Sequence, residues 1–579
     1  MDVLTHHNDI SRTGTYPSET ALTPQTVAGG GFGKLYERNV SGDVYAQTLY
    51  VRAVPVGQHL RNLCYVATST NFVYAFDADD LNTNPNTPAV WSRQLDPSRI
   101  LTGDEICGET KGSVGITSTP VIDRQSGTMY VVTRFSSPSR GGAGDGFNYL
   151  HALNIATGAD KQPKVRISAS VPGTGPRAGT SLVFDTQCQR NRPALLLLNG
   201  VVYVAYGTFS CDGGPYHGWV MGYRASDLTQ VAVFNTSTAA RAAGIWQSGA
   251  GLVGAPDGSI YFMTGNDFVD IPGSALPGTV GNLGDSLVRL QVTATWPGLK
   301  LAGHFTPRNA AFLRDGYGTP EQPGDTDLGS GGPTLLPGEV LIAGGKQGRF
   351  YVLDATTMAL RQDSNPPDWA LAGVNPDHIG EGFQAFYNHH MDTNPRTPRA
   401  LDNYASGEHW GSNIHGNPVY WPGSQCFYHM AEKDHLKAFK YDDAARLVRY
   451  AIDPDPTRRS VIFFGESTEP PNLGMPGGAS SVSSNGTSDG IVWVSYPRAD
   501  GQWQKAPGYL VAYSARPGGA SGRELAELWR APDDPPVLFA KFCPPTVADG
   551  KVFRSAFAPN AADNSYSGPG KLVVYGLRG

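Results

Sequence analysis

The feature that most constrains this chain is a repeat. A short β-rich run, a loop and a second β-rich run return about eight times along the 579 residues. Examples are CYVATSTNFVYAFDADD from Cys64, VLIAGGKQGRFYVLDATT from Val340 and CFYHMAEKDHLKAFKYDD from Cys426. A single unit would leave its sheet faces exposed, whereas radial stacking of four-stranded sheets buries those faces. The repeat therefore predicts an all-β fold, an eight-bladed β-propeller that forms a single domain over residues 1–579.

The two ends of the chain suggest how the ring closes. The last unit reaches Gly579 after only three strands, while GKLYERNV at residues 33–40 is a strand without a unit of its own. We expect this N-terminal strand to complete the last blade. The alternative is a pair of stacked β domains.

Composition excludes some partners. A formal charge of -6 and a pI near 6.1 give no general electrostatic attraction to nucleic acid or to an anionic membrane. No stretch approaches the roughly 18 apolar residues of a membrane span, and the start, MDVLTHHNDISRTG, lacks the pattern of a signal peptide. The sequence predicts either an intracellular protein or one that begins after a removed signal. Within that start, Asp9 and Arg12 are expected to form an ion pair.

Proline-containing segments such as HGNPVYW and KFCPPTV precede many of the units. In a propeller the first strand of each blade lines the central channel, so residues just before these prolines can converge there. His415, Lys541 and Arg192 occupy such positions and are candidates to contact a small-molecule substrate in the channel mouth. The alternative for the two cations is a structural role on the carbonyl groups of the blades.

Seven of the 13 histidines fall within residues 378–435. Imidazoles this dense could bind copper, zinc or iron, but their spacing matches no regular ligand motif. The alternative is a set of hydrogen-bonded loop histidines. The seven are His378, His389, His390, His409, His415, His429 and His435.

The stretch IWQSGAGLVGAPDGSIYFMTGN, residues 245–266, resembles the fourth unit of the eight-bladed alcohol dehydrogenases that depend on pyrroloquinoline quinone (PQQ). The resemblance in site motifs extends from about residue 200 to residue 355. It implies that Trp246 stacks under the planar quinone and that Asn266 binds Ca²⁺.

Neighbouring motifs extend the resemblance. It implies a second calcium ligand at Asp212 in TFSCDGGPYHG and a catalytic base at Asp327 or Asp325 in DTDLGSGGP. Lys346 in GGKQGRF is implied to lie near the carbonyl groups of the quinone. The chain departs from the family where an adjacent pair of cysteines covers the quinone, because only Cys107 stands there.

Other stretches look like a less characterised group of secreted bacterial and fungal PQQ-like propellers. They include HNDISRTG, GPYHGWVMGY and KFCPPTVADGKV. This second resemblance implies the fold and export, to the periplasm or the outside of the cell, but no reaction.

Two classes of function remain open on the sequence. One is an enzyme at the channel mouth, an oxidoreductase that acts on alcohols or sugars with PQQ and Ca²⁺. The other is a secreted propeller that has lost the quinone, and that works without a cofactor, with another metal or as a glycan- or protein-binding module. For the enzyme, we expect Asp327 and His415 to face a common cavity with Trp246 as one wall.

Overall fold

A computed structural model shows how the chain folds. The described residues are 1–97, 110, 112–136, 146–209, 214–268, 277–307, 310, 313, 326–361, 385–387, 413–449, 451–452, 461–462, 464–468, 474–532, 536–558 and 569–578. Among them, no helix is long and apolar enough to cross a membrane. Asp212, Asp325, Cys107 and four of the seven clustered histidines, His378, His389, His390 and His409, lie outside the described residues.

Eight four-stranded antiparallel sheets form the blades of a propeller ring, which confirms the predicted fold class. Blade 1 consists of strands Leu49–Val56, His59–Ala67, Phe72–Asp77 and Trp91–Gln94, and blade 2 of Val121–Asp123, Thr128–Ser136, Gly146–Asn154 and Asp160–Arg166. Blade 3 consists of Leu196–Leu198, Val201–Thr208, Trp219–Arg224 and Gln230–Asn235, and blade 4 of Val253–Gly254, Ser259–Met263, Leu287–Val292 and Leu299–Phe305.

Blades 5–8 follow the same plan. Blade 5 consists of strands Thr334–Leu336, Val340–Gly344, Arg349–Asp354 and Ala385–Tyr387, and blade 6 of Val419–Trp421, Cys426–Met430, Leu436–Asp442 and Leu447–Arg449. Blade 7 consists of Ala479–Asn485, Ser488–Pro497, Gly508–Ser514 and Glu527–Arg530, and blade 8 of Thr546–Ala548, Lys551–Ala556, Gly570–Leu577 and Phe32–Val40. The outer strand of blade 8 is thus N-terminal, and it pairs from Phe32 with Leu577 to Val40 with Gly570.

Smaller elements lie between the blades. Among the residues that the structure describes, these are the helix Pro24–Ala28 and the 3₁₀ turns Gly175–Arg177, Gln247–Gly249 and Leu328–Ser330. Two-stranded pairs form between Ser170–Pro172 and Ser181–Val183, between Arg241–Ala242 and Asp267–Phe268, and between Ala451–Ile452 and Val461–Ile462. Short strands add to three blades: Thr15–Tyr16 to blade 7, Gln189–Arg190 to blade 3 and Gly465–Glu466 to blade 6.

The hydrophobic core is a series of layers between neighbouring blades. Fully buried tryptophans mark three of these layers: Trp219 between blades 2 and 3, Trp421 between blades 6 and 7, and Trp493 between blades 7 and 8. The strands carry apolar side chains on both faces of each sheet. A blade can therefore bury both faces only when it has a neighbouring blade on each side. The ring is therefore the arrangement that leaves no sheet face in water.

The N-terminal segment, residues 3–16, runs around the inner rim of the ring. Its backbone forms hydrogen bonds with the first strands of six blades, at Tyr50, Ile122, Gly254, Leu335, Tyr420 and Val482. Side chains reach the other two blades, because Arg12 donates to the carbonyl of Leu195 and the Tyr16 hydroxyl donates to Asp549. One short segment thus contacts the channel-lining region of all eight blades.

Arg12 is the centre of this segment and is completely buried. Its guanidinium donates to the carbonyls of Leu252, His6 and Leu195, at 2.9, 2.8 and 3.2 Å, and to the Thr5 hydroxyl at 2.6 Å. The expected ion pair with Asp9 is not what holds it, because the Asp9 carboxylate accepts from the backbone N–H and the hydroxyl of Thr13. A fork of five donors suits several carbonyl groups that converge from different blades.

We predict that Arg12→Met lowers the free energy of unfolding by about 3–5 kcal/mol, since three buried carbonyl groups lose their donor together. Urea denaturation followed by near-ultraviolet circular dichroism measures this loss. Arg224→Met, which removes an exposed ion pair with Asp227, is the matched control and should change stability by less than about 1 kcal/mol. Equal effects of the two variants would show that the buried Arg12 contacts contribute no more to stability than an exposed ion pair.

His429 gives the fold a predictable sensitivity to acid. Burial, together with the nearby charges of His415 and Lys437, lowers the pKa of His429 to about 3. The unfolded chain therefore binds a proton near the ordinary pKa of 6.5 that the folded chain does not accept until about pH 3, so stability falls as the pH drops through that window.

We predict that His429→Leu reduces the loss of stability between pH 7 and pH 5 by about 2 kcal/mol, the cost of about 1.5 units of pH at about 1.4 kcal/mol each. The measurement is urea denaturation at both pH values. His59→Leu is the control, because His59 is exposed. A pH dependence that His429→Leu leaves unchanged would contradict the argument.

Candidate functional site

Trp246 lies at the entrance to blade 4, where the chain turns into the channel-lining strand. The turn Gln247–Gly249 follows it, and Gln247 and Ser248 take left-handed φ values of 46° and 50°. Such values are uncommon for residues other than glycine and mark a turn whose geometry is imposed by its surroundings. The indole is left half-buried.

The Asp327 carboxylate contacts two other predicted site residues, Trp246 and Lys346. One oxygen accepts from the indole Nε1 of Trp246 at 2.8 Å, and the other lies 2.8 Å from the Lys346 ammonium. The same ammonium lies 5.4 Å from the centre of the indole. Asp327 precedes the first strand of blade 5 and Lys346 follows its second strand, so one blade supplies both charges.

The glycine before Asn266 allows this approach. A Cβ atom at Gly265 would lie 3.0 Å from the carboxylate oxygen of Asp327 and 3.4 Å from Nε1 of Trp246. A side chain there would require the carboxylate or the indole to move by a few tenths of an ångström. Asn266 itself is buried, and its carbonyl accepts from the backbone N–H of Ala243. The second implied calcium ligand, Asp212, lies outside the described residues.

A buried acid lies behind the Asp327 loop. Asp285 is fully buried, and one of its oxygens accepts from the backbone N–H of Leu328 at 2.9 Å. Burial raises the pKa of Asp285 well above its ordinary value, and the charge of Asp327 raises it further. Both effects disfavour a second negative charge beside Asp327. The sequence carried no signal for it beyond a Gly-Asp pair.

His415 approaches the indole from blade 6. Its ring centre lies 6.0 Å from that of Trp246, at an angle of 59°. The Ser248 hydroxyl donates to the carbonyl of Ser330 at 2.6 Å, so its oxygen accepts from Nδ1 of His415 at 3.0 Å. Nε2 lies within hydrogen-bond distance of the Glu432 carboxylate, at 2.7 Å. The imidazole is thus held on both sides.

Phe542 connects the remaining candidates. Its φ is 65°, and its ring lies 6.4 Å from Trp246 and 5.6 Å from His415. The Arg192 guanidinium lies 4.9 Å from this ring. Lys541 is buried, its ammonium lies 5.5 Å from the same ring, and it donates to the carbonyl of Gln502 at 3.1 Å. The Phe542 ring thus neighbours Lys541, Arg192 and the indole of Trp246.

A small cavity lies between this aromatic layer and the N-terminal segment. Its lining includes His6, His7, His415 and Phe542, but neither Trp246 nor Asp327. Asp327 and His415 thus have the indole as a common neighbour without sharing this cavity. Among the residues that the structure describes, no group of three or more His, Cys, Asp or Glu side chains is arranged to hold a metal ion.

Three contact residues were not predicted from the sequence. Glu432 and Ser248 orient His415, and Phe542 lies between the candidates. Phe542 could have been predicted from the sequence, since it directly follows Lys541 in the segment KFCPP before the first strand of blade 8. Glu432 and Ser248 had none, because nothing in their local pattern indicates which histidine they meet.

Comparison with known proteins agrees with the fold. No protein-family model and no curated protein matches the chain. Among solved structures, the chain is similar to a quinohemoprotein alcohol dehydrogenase from Pseudomonas putida HK5, with 14% identity and a TM-score of 0.56 over 100% of this chain and 80% of that one.

Two further solved structures give the same result. A quinohemoprotein alcohol dehydrogenase from Comamonas testosteroni matches at 16% identity, with a TM-score of 0.54 over 100% of this chain and 81% of that one. A europium-containing methanol dehydrogenase matches at 12% identity, with a TM-score of 0.52 over 100% and 98%. The resemblance to quinoprotein dehydrogenases is confirmed for the propeller fold.

We predict that Lys346→Met lowers the free energy of unfolding by about 3–5 kcal/mol, because it leaves a buried carboxylate without its cation. Adding Asp327→Asn should recover much of the loss, with a coupling of at least about 1 kcal/mol in a double-mutant cycle measured by urea denaturation. The control is Lys34→Met, whose exposed pair with Glu37 should contribute less than about 1 kcal/mol. Additive effects of the two site variants would contradict the pairing.

Proposed function

We propose that the protein is an oxidoreductase that oxidises alcohol groups of small molecules or sugars beside Trp246. The observation that carries this proposal is the Asp327 carboxylate, oriented by an indole N–H and an ammonium against an aromatic surface. A carboxylate held in this way is suited to accept the proton of a substrate hydroxyl. Similarity in fold to quinoprotein dehydrogenases supports the same reaction class.

The described residues fit a planar quinone and supply part of a ligand set for a hard cation. The neighbouring rings of His415 and Phe542 meet the indole of Trp246 at 59° and 73° rather than stacked on it. The side-chain amide of Asn266 offers an oxygen donor of the kind that Ca²⁺ prefers, whereas both oxygens of Asp327 are engaged by Trp246 and Lys346. Trp246 would support PQQ, Asn266 would bind the cation together with Asp212, and the quinone would supply the acceptor for the hydride.

The residues of the chain have separate tasks in this proposal. Trp246 fixes one oxygen of Asp327 and covers the site with an apolar surface that excludes water. Lys346 neutralises the charge of the carboxylate, and with the quinone or a substrate bound its ammonium would donate to an oxygen of that group. Asp327 takes the hydroxyl proton, which requires its oxygen to exchange the Lys346 contact for the substrate. His415 is a positioning residue behind the indole, oriented by Glu432.

A second function is favoured by the same ion pair. A carboxylate already paired with Lys346 is a weaker proton acceptor, and the sequence lacks the cysteine pair that covers the quinone in the dehydrogenases. Both observations suit a propeller that has lost the quinone and acts as a binding module. Export and a single-domain organisation remain predictions in either case.

Reconstitution with PQQ and Ca²⁺ tests the proposal. We expect one equivalent of quinone to bind, detected by absorbance and by quenching of tryptophan fluorescence, and dye reduction with members of an alcohol panel. Asp327→Asn should keep quinone binding but lower kcat by a factor of about 10²–10⁴, the usual contribution of a general base.

Trp246→Ala should lose quinone binding, whereas the exposed Trp503→Ala serves as the control and should retain it. Failure of the unsubstituted protein to bind the quinone would overturn the oxidoreductase proposal and leave the binding module. Quinone binding without turnover on any alcohol would overturn the substrate class.

A further inference from the structure

A second concave site lies away from the channel, at the outer part of blades 2 and 3. It is a groove of about 460 Å³ beside the two-stranded pair Ser170–Pro172 and Ser181–Val183. The size is within the range of sites for small organic ligands. Its lining residues are Arg166, Ile167, Ser168, Arg177, Ser181, Leu182, Val183, Phe184, Asp185, Thr186, Pro215 and His217.

Two guanidinium groups line this groove without acidic partners. Neither Arg166 nor Arg177 forms an ion pair with any residue that the structure describes. Arg166 rests 4.2 Å above the ring of Phe147, which fixes its direction. Arg177 is half-buried, and its Nε is buried without a hydrogen-bond partner. A buried unsatisfied donor is costly, so it points to a ligand or to ordered water.

Among the lining residues that the structure describes, there is one carboxylate, and it is already engaged. An oxygen of Asp185 accepts from the backbone N–H of Gln187 at 2.9 Å, and the other lies 3.7 Å from the Cys188 thiol. Burial, with a smaller contribution from the charge of Arg177, lowers the pKa of His217 to about 4, so this imidazole is neutral at pH 7. The described lining residues thus comprise two cations, one anion and a neutral histidine, a net charge that favours anions.

The rest of the lining offers a mixed surface. Leu182 and Phe184 are mostly buried and form an apolar floor, while the hydroxyls of Ser168, Ser181 and Thr186 lie around it. Sugar rings combine apolar faces with hydroxyl groups, and a guanidinium pairs with a carboxylate through two parallel hydrogen bonds. An apolar floor beside guanidinium groups favours an acidic sugar over a simple inorganic anion, whereas a basic patch without such a floor would not distinguish the two.

We propose that this groove binds an acidic saccharide, with Arg166 and Arg177 pairing its carboxylate and the Leu182–Phe184 side holding a sugar ring. The site is separate from the channel and does not depend on the proposed oxidation. It gives the molecule a means to hold uronic-acid polymers whether or not the channel is catalytic.

The test is isothermal titration calorimetry of the full chain, without PQQ, against trigalacturonate. Neutral galactotriose and inorganic phosphate are titrated separately. We expect trigalacturonate to bind at least ten times more tightly than either comparison ligand, and less tightly as salt is raised. Arg166→Gln and Arg177→Gln should each weaken trigalacturonate binding about tenfold or more, with circular dichroism spectra unchanged.

Arg516→Gln is the matched control, because Arg516 lines a different groove and donates to the carbonyl of Thr487. It should leave the affinity unchanged. Absence of trigalacturonate binding, or equal affinity for galactotriose, would overturn the proposal. Equal affinity for phosphate would show a general anion site and overturn the saccharide class. Loss of binding in all three arginine variants would show a diffuse charge effect rather than this groove.

Discussion

The arrangement of this propeller depends on the contact between residues 3–16 and the inner edges of the blades. Each blade is a separate sheet that packs only on its two neighbours, so nothing within a blade sets the width of the channel. The N-terminal segment supplies that constraint, since its backbone or side chains bond to the channel-lining region of every blade. Arg12 joins carbonyl groups from distant parts of the chain at its centre.

This constraint also orients the candidate site. The N-terminal segment lies on one side of the small cavity, and the layer of His415 and Phe542 lies on the other. Trp246 meets that layer, while Asp327 and Lys346 meet the indole without lining the cavity. The chemistry proposed here therefore belongs to the indole surface that Asp327 and Lys346 share. His415 acts from behind it through the contact of the two rings.

The ion pair between Asp327 and Lys346 would behave differently in the two classes of function. A carboxylate between an indole N–H and an ammonium is well oriented, but it must exchange the ammonium before it accepts a proton. A bound quinone or substrate oxygen would give Lys346 another partner and release the carboxylate. In a binding module the pair would stay closed and act only to join the entrances of blades 4 and 5. The groove at Arg166 and Arg177 is independent of this choice, because its cations face an outer surface of the ring.

The sequence by itself determined the architecture, because a repeated two-strand pattern with buried faces on both sides can be satisfied only by neighbours of the same kind. The resemblance to a known family also indicated Trp246, Asp327 and Lys346 as candidate site residues, and their roles stay predictions. The partners of those residues were decided only by the tertiary structure. Arg12 meets carbonyl groups instead of Asp9, and His415 meets Glu432 and Ser248, because blades far apart in sequence converge on one axis. Arg166 and Arg177 line one groove because the antiparallel pair Ser170–Pro172 and Ser181–Val183 reverses the chain, and no periodicity in the chain encodes that arrangement.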